Sequence, residues 1–399
     1  MRHLKNYRKV VGKKVINRIY SEAEPLIGKK IVNINSTSTG GGVAELLDSL
    51  IPLFRSAGVD AVWEVIHAPK EFFVVTKKIH NALQGEKISF SYKEKKLYLK
   101  WNEINSKLIE LNQPDMVVTH DPQPLPLINF FKKKQPWIWR CHIDLTSPYK
   151  SVWNYTKRFI KKYNGMIISH AQYKKRIISE HLIMPSINPL SRKNRHLSDS
   201  EINKILLRHH INMDKPIVAQ ISRFDKWKDP IGVIEAFKLI RKKYNCQLVL
   251  LGNMAKDDPE GAEIYEKIVK STREKDINIR CVDQPYENDF FVNALQRAAS
   301  VVIQKSLKEG FALTVSEALW KGTPVVGSNV GGIPLQIING KNGFLVNNIK
   351  ECAQKTIWLL KHHEQAAQMG KYGKKRVREK FLITRHLLDY IMLFKQYIK

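Results

Sequence analysis

Two doubly wound α/β units in tandem, each a parallel sheet covered by helices, are the fold class this sequence predicts. Three observations carry that expectation. Short apolar, β-branched runs alternate with helix-length amphipathic segments along the chain, which is the pattern of strand–helix–strand units. At 399 residues the chain exceeds one ordinary domain. A stretch rich in turn formers, Met184-Pro185-Ser186-Ile187-Asn188-Pro189-Leu190-Ser191, ends the apolar pattern near the middle.

In order along the first half, strands are expected at 30–35, 59–66, 116–119, 137–141 and 166–169. In the second half they are expected at 217–221, 247–251, 277–281, 301–304 and 324–327. The domains then read as 1–187, 188–375, and a closing helical segment, 376–399, that returns to the first domain. Phe381, Leu387, Leu388, Ile391 and Phe394 give that segment its helical spacing. Two similar α/β halves predict a ligand held in a cleft between them, at the carboxyl ends of the strands.

Hydrophobic residues make up 43% of the chain and aromatic residues 9%, enough for globular cores and too much for extensive disorder. The net charge of +30 attracts polyanions, yet the lysines are spread through the chain in pairs and triplets such as 132–134, 161–162 and 242–243. No zinc finger, RNA-recognition signature or basic-aromatic array accompanies them, so a solvated basic surface is expected, with no specific nucleic-acid partner. Cys141, Cys246, Cys281 and Cys352 are far apart and lack metal or redox spacing, which points to reduced thiols and a cytoplasmic protein. No leader pattern is visible, and no apolar run approaches the ~18 residues of a membrane span. A homodimer is left open.

Three loops carry candidate chemistry. Thr39-Gly40-Gly41-Gly42-Val43-Ala44-Glu45 follows the first strand and opens a helix, so Gly41 and Gly42 let backbone approach a ligand while the helix terminus favours phosphate. The bland alternative is a tight strand-to-helix turn. Arg223 and Lys228, just past the strand at 217–221, suit a diphosphate: the guanidinium as a planar fork, the ammonium as a point charge. A solvated basic loop is the competing account. Glu309 precedes a glycine-bearing loop, and Glu317 lies in the helix that follows, whose amides near Phe311, Leu313 and Thr314 would face phosphates. Thr314-Val315-Ser316-Glu317 also fits a capping box, with Thr314 as N-cap. Cations leaving one strand and a carboxylate leaving another describe a site for a sugar joined to a diphosphate.

In the first half, His142 leaves the strand at 137–141 with Asp144 two residues on, as a sugar-hydroxyl contact or an acid–base pair. His120-Asp121 ends the preceding strand and competes for that role.

Together these pieces resemble the retaining glycosyltransferases of family four, which have the GT-B fold of two Rossmann-like domains. Glu309 and Glu317 match the family's Glu-x7-Glu motif, Arg223 and Lys228 its diphosphate-binding pair, His142 its N-domain histidine and Gly40 to Gly42 its glycine loop. A narrower resemblance is to the trehalose glycosyltransferring synthases. It rests on 42–47, 72–85, 120–127, 141–148, 254–261 and 309–315. Lys308 stands where those enzymes usually have Arg, and Ala312 where they have Gly.

The resemblance implies transfer of glucose from ADP-glucose or UDP-glucose to free glucose, giving α,α-trehalose with retention and needing no obligatory cofactor or metal. It implies that Arg223 and Lys228 stabilise the leaving diphosphate, that Glu309 holds donor-sugar hydroxyls and Glu317 the ribose, and that His142 binds near the reacting carbon. Gly41, Gly42, Phe311, Leu313 and Thr314 belong on the donor side. Glu45, Asn81, Gln84, Asp121 and Asp144 would supply hydroxyl partners for the acceptor. Trehalose phosphorylases share much of the pattern. A glycosidase using the two glutamates, or a non-enzymatic sugar- or nucleotide-binding protein, are the readings from other classes.

Overall fold

The computed structural model describes residues 3–39, 41–253, 261–272 and 276–398. Gly40, and 254–260 of the stretch 254–261 quoted above, lie outside the described residues. Two compact units emerge: the first is Met1–Ser186 with Ile383–Lys399, the second Ile187–Leu382. The returning segment, expected from 376, begins at Ile383, the chain staying with the second unit as far as Leu382. There Leu382 pairs with Ile187 in an isolated parallel bridge, and Ile187 N–H donates to the Phe381 carbonyl at 2.9 Å. The incoming and outgoing chain of the second unit are thus joined to each other.

The first unit winds six parallel strands: β1 (Lys30–Asn35), β2 (Asp60–Val65), β3 (Met116–His120), β4 (Trp137–Arg140), β5 (Gly165–Ile168) and β6 (Ser179–Leu182). Their order across the sheet is β2-β1-β3-β4-β5-β6. The central strands β3, β4 and β5 are buried at every residue, as a sheet covered on both faces requires. The closing helix Ile383–Tyr397 belongs here because its apolar face enters this core: the Phe54 and Phe394 rings stack at 5.6 Å, and Tyr390 meets Phe54 edge-on at 6.1 Å.

The second unit contains β7 (Ile217–Ile221), β8 (Gln247–Gly252), β9 (Ile277–Cys281), β10 (Ala299–Gln304), β11 (Val325–Ser328) and β12 (Gly343–Val346). Its order is β12-β11-β10-β7-β8-β9, the Rossmann winding. Both sheets reverse direction at one internal junction, β1/β3 in the first and β7/β10 in the second. In open α/β sheets the crevice outside such a junction is where ligands bind.

Of the twelve strands among the described residues, ten lie within a residue or two of where the sequence predicts them; β6 and β12, each at a sheet edge, are not predicted. Ser179-Glu180-His181-Leu182 is half exposed and has no apolar run to mark it. Among the described residues, no helix is long and apolar enough to cross a membrane.

Candidate functional site

In the second unit, two loops leave neighbouring strands and are tied together. After β7 come Ser222 to Asp229; after β10 come Lys305 to Ala312. Leu307 N–H donates to the Trp227 carbonyl at 2.8 Å, which joins the loops by backbone. Lys228 Nζ lies 2.5 Å from Glu309 Oε2, and Ser306 Oγ donates to that same oxygen at 3.1 Å. Lys305, itself nearly buried, pairs with Asp229, whose other oxygen accepts the Gly232 N–H at the start of helix Pro230–Arg241. Asp229 is held at φ 49, so it caps the helix from a left-handed conformation.

Lys228 and Glu309, expected to serve phosphate and sugar separately, are therefore one ion pair here. Glu309 is only 7% exposed, and a buried carboxylate is expensive without a cation and hydrogen bonds. Arg223, half buried, follows β7 on the same loop.

Glu317 corrects the capping reading. Helix Leu313–Lys321 starts after Ala312, which is its N-cap with φ 68 and makes no side-chain cap bond. Thr314 sits inside the first turn, and its hydroxyl donates to the Ile221 carbonyl of β7 at 3.2 Å. Glu317 is buried, at 4% exposure, one turn into the helix. The backbone of 311–312 is fixed from a distance: Gln336, fully buried, donates to the carbonyls of Phe311 and Ala312 (3.2 Å to the latter) and accepts from Ser316 Oγ at 2.5 Å. Gly332 lies so close that a Cβ there would stand 2.7 Å from the Gly310 oxygen. Phe311 is buried against the Phe381 ring at 5.6 Å, and Leu313 opens the helix half exposed.

In the first unit, Gly41 is the N-cap of helix Gly42–Ser56 at φ 143, with no side-chain cap bond. Among the described residues, nothing beyond its chain neighbours lies within 4 Å of where its Cβ would be, so backbone conformation rather than crowding calls for glycine. Gly41 and Gly42 are exposed, leaving first-turn amides open to an anion, and Glu45 lies in that same first turn.

His120 and His142 are brought together. His120 Nδ1 is 3.1 Å from His142 Nε2, and the rings lie nearly parallel with centroids 5.4 Å apart. His120 is 1% exposed and contacts Asn33 Oδ1 at 3.2 Å through Nε2. It is therefore the support behind His142 rather than a competitor for its place. Asp121, at φ 62, turns its carboxylate back to accept the His142 backbone N–H at 2.8 Å. Asp144 accepts from Thr146 N–H and Oγ1 at 2.8 and 2.6 Å. The ring partner that the structure gives His142 is His120, not the acid–base partner Asp144.

Asn81 and Gln84 are buried at the end of helix Lys70–Leu83. That end meets the loop after β4: Tyr149 N–H donates to the Ala82 carbonyl at 2.8 Å, and a Cβ on Gly85 would lie 2.8 Å from the Ser147 oxygen. The expected acceptor residues Asn81, Gln84 and Asp144 thus lie on segments packed against one another.

Behind the histidines lies Arg140, fully buried, with Nη2 3.3 Å from Ser169 Oγ and, among the described residues, no hydrogen-bond partner for Nε or Nη1. Desolvation, then the Arg140 charge, lowers His120 to about 3. Desolvation, followed by Arg140, His120 and His386, holds His142 well below the usual imidazole range. His386, bonded through Nδ1 to Ser186 Oγ at 3.0 Å, is likewise held down by desolvation first and then by Arg385 and Arg140. All three rings are neutral near pH 7. Sequence reading misses Asn33, Arg140, Ser306 and Gln336. Only Arg140, a charged residue ending an otherwise apolar strand, leaves a sequence trace.

Two doubly wound parallel α/β units in tandem are the architecture of the GT-B glycosyltransferases. Residues 202–376 match the family model for glycosyl transferases group 1, and 33–175 the model described as trehalose synthase, N-terminal domain. Among curated proteins, the trehalose synthase of Pyrococcus horikoshii is 46% identical over 396 residues, covering 98% of this chain and 95% of that protein. That of Thermococcus litoralis is 45% identical over 402 residues, with 99% and 97% covered. The trehalose phosphorylase of Grifola frondosa is 31% identical over 404 residues, covering 85% of this chain but 53% of that longer protein. Among solved structures, a UDP-forming α,α-trehalose-phosphate synthase from Burkholderia xenovorans shares the fold at TM-score 0.74 and 12% identity, with 92% of this chain and 100% of that one covered. The chain belongs to the trehalose synthase family of glycosyltransferases.

Proposed function

We propose that the chain moves glucose reversibly between a nucleoside diphosphate glucose, ADP-glucose or UDP-glucose, and free glucose, forming α,α-trehalose with retention. The observation that carries this reading is the second unit's paired loops. Arg223, the Lys228–Glu309 pair and the amino end of helix Leu313–Lys321 all follow the carboxyl ends of β7 and β10. Stabilising the departing diphosphate is the largest electrostatic demand of such a transfer, and preorganised cations and amides meet it without reorganisation. Until the donor arrives, Glu309 balances the Lys228 charge; the diphosphate takes over as the ammonium's partner, leaving the carboxylate for donor-sugar hydroxyls. Glu317 serves the ribose, and His142 the sugar near its reacting carbon. Glu45, Asn81, Gln84, Asp121 and Asp144 serve the accepting glucose.

In this reading the acceptor hydroxyl attacks the anomeric carbon on the face the diphosphate leaves. The bond from carbon to acceptor oxygen forms as the bond to phosphate oxygen breaks, and the hydroxyl proton passes to the leaving phosphate. The glycosidic bond of trehalose joins two anomeric carbons and keeps much of the donor's transfer potential, so the reaction runs both ways. Trehalose supplied with ADP or UDP should yield NDP-glucose and glucose, identified by NMR. Turnover with inorganic phosphate alone would favour the phosphorylase reading that the Grifola relative suggests. No reaction of trehalose with either would refute both.

A further inference from the structure

We propose that Asn33 and His120 are positioning residues that fix His142 in a single tautomer, so that His142 presents one defined nitrogen to the sugar. The proposal deepens the role given to His142 above and rests on that reading for its kinetic consequence, though not for its structural one.

In a neutral imidazole one ring nitrogen donates and the other accepts, and the bond made by one decides the state of the other. Asn33, on β1, is fully buried and offers Oδ1 to His120 Nε2 at 3.2 Å. With the Asn33 amide in this orientation its oxygen accepts, which puts the His120 proton on Nε2 and leaves Nδ1 bare, while Asn33 Nδ2 has no partner among the described residues. That bare nitrogen faces His142 Nε2 at 3.1 Å, so His142 donates from Nε2 and keeps a lone pair on Nδ1. The near-parallel rings, at an interplanar angle of 16°, and the Asp121 carboxylate on the His142 backbone N–H restrict how the second ring can turn.

The surroundings keep the relay neutral. The charged and titratable groups facing it are Arg140 from β4, Asp121 from the loop after β3, and His386 from helix Ile383–Tyr397. A second proton on either ring would sit beside the Arg140 guanidinium, two of whose nitrogens are buried with no hydrogen-bond partner among the described residues. A protonated His142 would also lose its bare nitrogen, and with it the ability to accept from a hydroxyl. Fixing a ring by what lies behind it is the usual means of holding a site residue in productive geometry.

The test is nitrogen NMR on the full chain with 15N-labelled histidine at neutral pH, His142 being assigned by difference against His142→Asn. A scalar coupling between His142 Nε2 and His120 Nδ1 across the hydrogen bond, with His142 Nδ1 in the unprotonated range, is the expected result, and it is read on the unsubstituted chain, the variant serving only for assignment. Averaged nitrogen shifts at His142, or a protonated Nδ1, would overturn the proposal. In Asn33→Leu the coupling should weaken and His142 should become a tautomer mixture; an unchanged spectrum would count against Asn33. In the trehalose assay, His120→Leu should lower kcat by about tenfold to a hundredfold, the scale of a misplaced contact, while KM changes little. His120→Asn, whose Oδ1 takes the place of Nδ1, should recover most of that loss. If His142→Ala itself turned over normally, the role of His142 would fail while the coupling still decided the relay.

Discussion

The two sheets reverse at equivalent junctions but furnish them with different chemistry. Outside β7/β10 the side chains are charged and paired, Lys228 with Glu309 and Lys305 with Asp229. Outside β1/β3 the central groups are neutral rings and an amide, Asn33, His120 and His142, with a buried arginine behind them. Under the proposed function, the difference matches what each would meet. A diphosphate carries charge that only cations and amides can answer, whereas a sugar offers hydroxyls that need fixed donors and acceptors and gain little from a net charge. A charged cluster tolerates displacement, because Coulomb attraction falls slowly with distance; a tautomer relay does not.

The largest effects should come from the charged side. Arg223→Ala and Lys228→Ala should each lower kcat by a hundredfold or more, on the order of 3 kcal/mol, as leaving-group charge goes unanswered. Lys228→Ala should in addition lower stability, because Glu309 is left in a buried place without that cation; the double variant with Glu309→Gln should melt higher than Lys228→Ala alone. Full turnover in both single variants would remove the phosphate site. A double variant no more stable than Lys228→Ala would show that the pair is not coupled in solution.

The glutamates come next and should separate. Glu309→Gln should abolish transfer with the fold intact. Glu317→Gln should weaken nucleotide binding without the stability loss of a missing cap, since Ala312 and not Thr314 precedes the helix. Calorimetric titration with ADP and UDP, beside a thermal melt, checks both parts. Unchanged nucleotide affinity would take Glu317 out of the donor site.

What the sequence made legible follows the same divide. Charged residues at strand ends, such as Arg223, Lys228 and Glu309, can be read because few structural duties require a charge there. The capping box at 314–317 misled because the pattern is local, whereas the start of this helix is set by Gln336, 24 residues from Ala312. The relay was hidden for a like reason: Asn33 and His120 are 87 residues apart, and a lone asparagine within an apolar strand has no period or motif to mark it. Strand β12, four residues at a sheet edge, escaped because so short an apolar run is no stronger a signal than a loop. Sequence pattern reports elements and local charge; contacts made by topology come only with the fold.

The neutral side should be the acid-sensitive one. His120 titrates at about 3 in the folded chain against 6.5 in a free one. Between those values the unfolded chain binds a proton that the folded chain refuses, so this group's contribution is complete above about pH 6.5. It declines as pH falls, by about 1.4 kcal/mol per pH unit. His142 and His386 are shifted the same way and steepen the slope. Urea unfolding at several pH values between 7 and about 5 should show the loss. His120→Asn should flatten the curve, and an equal slope in that variant would mean that His120 is not the buried neutral ring described.

The smallest expected effect lies at Ala312, where the charged site depends on strained backbone. A residue with a Cβ at φ 68 and ψ 80 pays a conformational cost that glycine does not. The position is held there from both sides, by the bond from Gln336 to its carbonyl and by Gly332 pressed against Gly310 and Phe311. Ala312→Gly should therefore raise stability, but by only about 1 kcal/mol, because glycine gives back part of the gain through its greater freedom in the unfolded chain. Loop geometry, and with it kcat, should stay the same, since the carbonyl and not the methyl group of Ala312 makes the bond to Gln336. Gln336→Leu removes that bond and should lower both stability and turnover. If Ala312→Gly instead lowered stability, the left-handed conformation would not be the one adopted in solution, and the amino end of helix Leu313–Lys321 would need a different account.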